Sequence, residues 1–179
     1  MSADNKEKNF ISAVIYVRNS QAMIKNFLIR AADILARNFE HSEIICVNDA
    51  SSDGSVEQVR AAANEIRDIS VTILHLSSFH GREAAMQGGV GMSIGDFVYE
   101  FDFPYEEITE DDMMRLYEKS MEGHDIVAAV TGQKRKTTSK LFYRLFNSSA
   151  DIDYELDTEV FRLLSRRAIN RVGSQNKII

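Results

Sequence analysis

Polar residues gather at four places in this 179-residue chain, each directly after an apolar run: Arg18-Asn19, Asn48 to Ser55, Ser77 to Arg82, and Asp102. If the apolar runs are parallel strands, all four clusters lie beyond strand carboxyl ends, where open α/β sheets bind ligands. The chemistry on offer is that of an anionic, hydroxyl-rich ligand. Asp49 follows the buried run Ile44-Ile45-Cys46-Val47 closely, so its carboxylate is held at the sheet edge. There it can accept hydrogen bonds from a nucleobase imide or a ribose hydroxyl. The competing assignment is a turn with a helix cap, which suits Ser52 or Asp53. Arg82 is a cation able to offset phosphate charge, or else a solvated charge at a helix start. No G-x-G-x-x-G or Walker pattern follows any strand, which speaks against ordinary dinucleotide or P-loop binding.

The elements that must position these residues alternate. Strands are expected at Phe10–Val17, Glu43–Val47, Val71–Leu76, Phe97–Phe101 and Ile126–Val130. Helical periodicity covers Ser20–Phe39, with Met23, Phe27, Ala31 and Ile34 on its apolar stripe, and also Asp53–Arg67, His80–Met92 and Glu110–Met121. Ser51 to Asp53 and Thr109 are cap candidates. Strand, helix, strand in repetition predicts an α/β fold with a mostly parallel sheet and right-handed crossovers.

The composition sets bounds. A hydrophobic fraction of 44% supports one domain with a sizeable core, and a net charge of −6 argues against nucleic-acid binding. An anionic ligand must then be held by a local patch, a helix N-terminus or a metal ion. The single cysteine, Cys46, reads as a small buried hydrophobe rather than a reactive thiol, in keeping with a reducing compartment. Residues 1–9 read as a polar, flexible N-terminus without the apolar core of a signal peptide. No run approaches the ~20 apolar residues that span a bilayer. A cytoplasmic location is the expectation. Residues 10–130 read as the ligand-binding core and 131–179 as a basic C-terminal part of the same domain. The tail Asn176-Lys177-Ile178-Ile179 closes no element, and the chain reads as a portion of a longer protein.

Several segments, in consistent order from about residue 10 to 172, carry a family resemblance. Val47-Asn48-Asp49-Ala50-Ser51-Ser52-Asp53-Gly54-Ser55 resembles the V-D-D-G-S-x-D-G-T signature of family 2 glycosyltransferases. Ser12 to Asn19 is similar to that family's S-V-V-I-P-V-Y-N, Phe79 to Ala85 to its N-F-G-K-E-A-A segment, and Gly95-Asp96-Phe97-Val98 leads to Asp102 as G-D-Y-V leads to a metal-binding D-x-D. Lys140 to Asn147 and Phe161 to Arg167 resemble the polyprenyl-phosphate sugar transferase branch. The resemblance implies a GT-A fold. It also implies transfer of a sugar, with inversion, from a nucleotide-diphosphate sugar to a polyprenyl phosphate or a saccharide such as a cell-surface polysaccharide precursor. In that scheme Val17 and Asn19 line the base pocket, Asp49 accepts from uracil or guanine, and Gly81 and Arg82 lie near the nucleotide. Asp102 would ligate a divalent cation, magnesium or manganese, and Asp102, Glu159 and Arg162 form the implied catalytic set.

Three departures stand against the motif. The second metal aspartate is replaced by Pro104, which has no side-chain oxygen, while Glu106 and Glu107 nearby have a different spacing. The aspartate expected before Phe161-Arg162-Leu163, a candidate base, is Val160, with Glu159 and Asp157 close by. Tyr16 stands for the usual proline and Arg18 for tyrosine. These departures favour an alternative: a catalytically impaired relative serving as a nucleotide-sugar-binding, regulatory or membrane-interaction module. The stretch 133–146 interleaves Lys134, Arg135, Lys136, Lys140 and Arg144 with Leu141, Phe142, Tyr143, Leu145 and Phe146. At helical spacing it would contact anionic headgroups or a lipid-linked phosphate at the inner face of the membrane, or else pack as an amphipathic helix with a solvated basic face.

Overall fold

The structure, a computed structural model, describes residues 6–105, 108–131, 141–146 and 159–175; side chains at 130–131, 141–146, 159–160 and 173–175 are outside the description. The chain runs β1 (Ile11–Val17), α1 (Ile24–Asn38), β2 (Ser42–Asp49), α2 (Ser55–Glu65), β3 (Ser70–Leu76), α3 (Arg82–Met92), β4 (Phe97–Phe101), α4 (Glu110–Met121), β5 (Ile126–Thr131), β6 (Leu141–Phe146), β7 (Glu159–Ser165) and α5 (Arg166–Gln175). One seven-stranded sheet joins them in the order β3-β2-β1-β4-β7-β5-β6.

The expected parallel block is β3-β2-β1-β4. Its interior strands are apolar on both faces, as β1 and β2 show, because helices cover both sides of the sheet. On one side α1, α2 and α4 bury Phe27, Leu28, Val59, Leu116 and Tyr117 with Ile15, Tyr99 and Phe101. On the other, α3 seats Ala85, Met86 and Val90 on Val14, Val47 and Val98. Gly89 is required there, since a Cβ would sit 2.5 Å from both the Val14 and Val47 side chains. Cys46 is fully buried, and burial pushes its thiol up to about 12, as expected of a packed hydrophobe. Thr109 caps α4 by accepting from the Asp112 N–H at 3.1 Å.

Two expectations need correction. Beyond β4 the sheet is antiparallel: β7 enters between β4 and β5, and β6 closes the edge against β5. Local periodicity cannot register such a long-range pairing. The segment 141–146 is therefore strand β6 and not a helix; residues rich in Phe, Tyr and Leu favour a pleated surface once a partner strand is present. The remainder of the basic stretch, 133–140, lies outside the described residues. The helices also begin later than the periodicity indicated, at Ile24, Ser55 and Arg82, because the residues before them form turns. Met23 accordingly precedes α1 and is 37% exposed. Among the described residues no helix is long and apolar enough to cross a membrane.

Candidate donor site at the carboxyl edge of the sheet

The loops after β1 and β2 are stitched together by short polar side chains. Asn19 adopts a left-handed backbone (φ 48°), and its Oδ1 accepts the Ser52 N–H at 2.9 Å. Asp53 accepts from the Gln21 N–H at 3.1 Å and from the Ser55 N–H at 3.1 Å, so it ties two loops together and opens α2. Ser52, the other cap candidate, is engaged with Asn19 instead.

Asp49 ends β2 fully buried. Its Oδ1 accepts the His80 N–H at 2.8 Å, and its Oδ2 accepts the Gly81 N–H at 3.0 Å and the Tyr16 hydroxyl at 2.9 Å. Burial pushes this carboxyl up. The His80, Tyr16 and Gly81 donors, with Arg18 nearby, outweigh that and hold it below the ordinary aspartate value. The same contact, added to burial, pushes the Tyr16 hydroxyl up to about 12. Asp49 thus fastens the β3–α3 loop to the end of β2. Gly81 makes the turn into α3 with φ 86° and ψ 156°, a region essentially closed to other residues.

Arg82, the first residue of α3, reaches across to Asp102 just beyond β4, with 3.5 Å between guanidinium and carboxylate. Both remain solvent-accessible, at 53% and 25% of the side chain. Asn19, Asp49, Gly81, Arg82 and Asp102 therefore lie on one edge as a connected series: Asn19 to the β2–α2 loop, Asp49 to Gly81, and Arg82 to Asp102. Val17 does not join them through its side chain, which is 1% exposed and packs in the core. Arg162 lies opposite Glu100 across the β4–β7 pair and forms an ion pair with it. Glu159 belongs to β7, but its side chain, like Glu106 and Glu107, is outside the description.

Sequence reasoning missed Glu100, which is 4% exposed. The signal was available: it precedes Asp102 by two residues, so strand alternation puts both on one face. It also gave Phe79 no role. That ring is 61% exposed and stacks under the Arg18 guanidinium, whose central carbon is 4.1 Å from the ring centroid. Among the described residues no cluster of three or more His, Cys, Asp or Glu forms a metal site.

A family model described as Glycosyl transferase family 2 matches residues 12–173. The uncharacterized glycosyltransferase YkcC of Bacillus subtilis (strain 168) is 29% identical over 167 residues, covering 90% of this chain and 51% of that protein. The undecaprenyl-phosphate 4-deoxy-4-formamido-L-arabinose transferase of Aeromonas hydrophila is 34% identical over 146 residues, 77% of this chain and 43% of that protein. The chain spans about half the length of the curated relatives it matches. The mannosyltransferase PcManGT of Pyrobaculum calidifontis, solved with GDP-Man and Mn2+, superposes with a TM-score of 0.59 at 19% identity, covering 75% of this chain and 38% of that one. The fold is GT-A.

Proposed function

This chain is a member of glycosyl transferase family 2, and we propose that it is the donor-binding part of an enzyme that moves a sugar from a nucleoside-diphosphate sugar to a polyprenyl phosphate. The observation carrying this reading is the convergence of Asn19, Asp49, Arg82 and Asp102 on the carboxyl edge of neighbouring strands. The undecaprenyl-phosphate transferases among the relatives support the acceptor class.

In this reading the loops held by Asn19 and Asp49 receive the nucleoside. Arg82, at the positive end of α3, receives the diphosphate. An oxygen of the acceptor phosphate attacks the anomeric carbon while the bond to the diphosphate breaks, and the nucleoside diphosphate leaves with the bonding electrons. Family analogy gives inversion at that carbon. An acceptor phosphate is already ionised near neutral pH, so the replacement of a base by Val160 is tolerable. A hard divalent ion accepts one carboxylate together with diphosphate oxygens and water. Asp102 fits that demand, and Pro104 adds nothing to it. Asp102 would hold magnesium or manganese, which would supply charge for diphosphate departure. In this reading Arg162 and Glu159, both on β7, belong to the acceptor side.

Calorimetry with UDP- and GDP-sugars, with and without Mn2+, followed by a transfer assay on a polyprenyl phosphate, tests the proposal. Binding of no nucleoside-diphosphate sugar refutes it. The replacements at Pro104 and Val160 favour a second reading, donor binding without turnover. Saturable binding with no transfer or hydrolysis would select it.

A further inference from the structure

Glu100 is the one charged residue of β4, and it lies a single rung from the strand's carboxyl end. Its side chain is only 5% exposed and pairs with the Arg162 guanidinium. Taking two charges out of water costs several kcal/mol per ion, and an apolar pair of similar volume commonly stabilises a fold as well or better. Stability alone therefore does not account for an ion pair at this position; a fixed geometry does. Alternation places Glu100 on the face of Val98, which packs beneath α3 with Val14 and Val47. Across the ladder Arg162 has Glu100 on one side and Ala128 on the other. Of these two neighbours only Glu100 attracts a cation, so the guanidinium is drawn toward β4 and toward Asp102. Arg162 is nevertheless not enclosed, since its side chain is 41% exposed. Arg82 reaches Asp102 from the start of α3. Two arginines thus flank two carboxylates at the carboxyl end of β4.

We propose that Glu100 is a positioning residue for acceptor binding: it aims the Arg162 guanidinium at the phosphate of the polyprenyl acceptor. The inference rests on the acceptor reading above and assigns Glu100 no contact with substrate. A guanidinium recognises a phosphate through directional N–H···O bonds from a planar fork, so its orientation governs affinity as well as its charge. A buried carboxylate sets that orientation before the ligand arrives.

Geranyl phosphate, a short prenyl phosphate, serves as the probe, titrated calorimetrically into protein saturated with UDP or GDP; no turnover is required. The wild type should bind it saturably. Arg162→Ala should weaken binding about 10- to 100-fold, as loss of a charge-assisted contact does. Glu100→Gln keeps the shape, replaces a charged acceptor by a neutral one, and should weaken binding about 5- to 10-fold. Affinity for the nucleoside diphosphate should stay within about twofold in both variants. Because Glu100 acts through Arg162, the double variant Glu100→Gln/Arg162→Ala should bind no more weakly than Arg162→Ala. The double variant also removes the buried charge that Arg162→Ala leaves unpaired, and it takes the place of that variant should the latter not fold. Unchanged geranyl phosphate affinity in Glu100→Gln overturns the inference. So do additive losses in the double variant, or a parallel loss of nucleotide affinity in Glu100→Gln, which marks a damaged sheet. A wild type that binds nucleotide but no geranyl phosphate overturns the acceptor reading together with this inference and leaves donor binding standing. Absence of nucleotide binding as well overturns the donor-site reading too.

Discussion

Asp49→Asn separates an anchoring carboxylate from one that only reads a ligand. The side chain is fully buried and receives three donors: the His80 and Gly81 amides and the Tyr16 hydroxyl. Asparagine has nearly the same shape but only one accepting oxygen. If that oxygen replaces Oδ2 it keeps Gly81 and Tyr16, and the amide nitrogen then confronts the His80 N–H; the flipped amide strands the other two. Either way a buried donor loses its acceptor, and the remaining bonds lose their charge. Hydrogen bonds to charged groups contribute about 1.5–3 kcal/mol each, and an unsatisfied buried donor costs about 1–3 kcal/mol. Removing the buried charge offsets part of this, so we expect a net loss of about 2–4 kcal/mol. For a chain of this size that is a fall in Tm of roughly 5–15 °C. Urea unfolding followed by circular dichroism measures it. The pH dependence has a fixed sign. The folded carboxyl titrates below its unfolded value, so its contribution is complete above about pH 5 and fades as pH falls through the folded value. The stability gap between wild type and variant should be constant from about pH 5 to 8 and narrow below about pH 4. A variant within ~0.5 kcal/mol of wild type at pH 7, or a gap that widens on acidification, refutes the anchoring argument.

Arg82→Ala should cost less than about 1 kcal/mol in stability, because its pair with Asp102 is solvent-accessible; calorimetry should nonetheless show about 10- to 100-fold weaker nucleoside-diphosphate binding from loss of a charge-assisted contact. Gly89→Ala should destabilise the protein by about 1–3 kcal/mol in urea titration, since its methyl would collide with Val14 and Val47. Ala50→Gly should relieve the left-handed backbone and raise stability by up to about 1 kcal/mol, measured by thermal unfolding; a loss would show that Ala50 is not strained.

The parallel half of the fold was legible because its signals are local. The apolar runs of β1, β2 and β4 are short and bounded by turn residues, and Thr109 announces α4 through a cap three residues from Asp112. The antiparallel half was not. Nothing near Phe161-Arg162-Leu163 states that its partners are residues 97–101 and 126–130. The site divides in the same way. The alternation of strands and helices placed Asn19, Asp49, Arg82 and Asp102 at one edge. The donors that occupy Asp49 come from 31 to 33 residues away, and no spacing rule connects them. The Val17 side chain packs in the core; β1 is buried on both faces, so alternation could not say which way that side chain points.

The insertion of β7 beside β4 ties the parallel and antiparallel parts of the sheet to each other. Register sets Phe161 opposite Phe101 and Arg162 opposite Glu100. On one face the Phe161 ring stacks on Phe101 at 5.2 Å within the cluster that includes Tyr99 and Tyr105. On the other, Arg162 answers a carboxylate that is only 4% exposed. A slip of one residue would exchange these faces, driving a guanidinium into the aromatic cluster and leaving the Glu100 charge without that partner. Both errors are costly, so the pairing has one strongly favoured register. Asp102 leaves β4 two residues after Glu100, on the face that Arg162 shares. The strand that leads to Asp102 and the strand that carries Arg162 are therefore positioned by the same ladder. Movement of one without the other would break the Glu100–Arg162 pair.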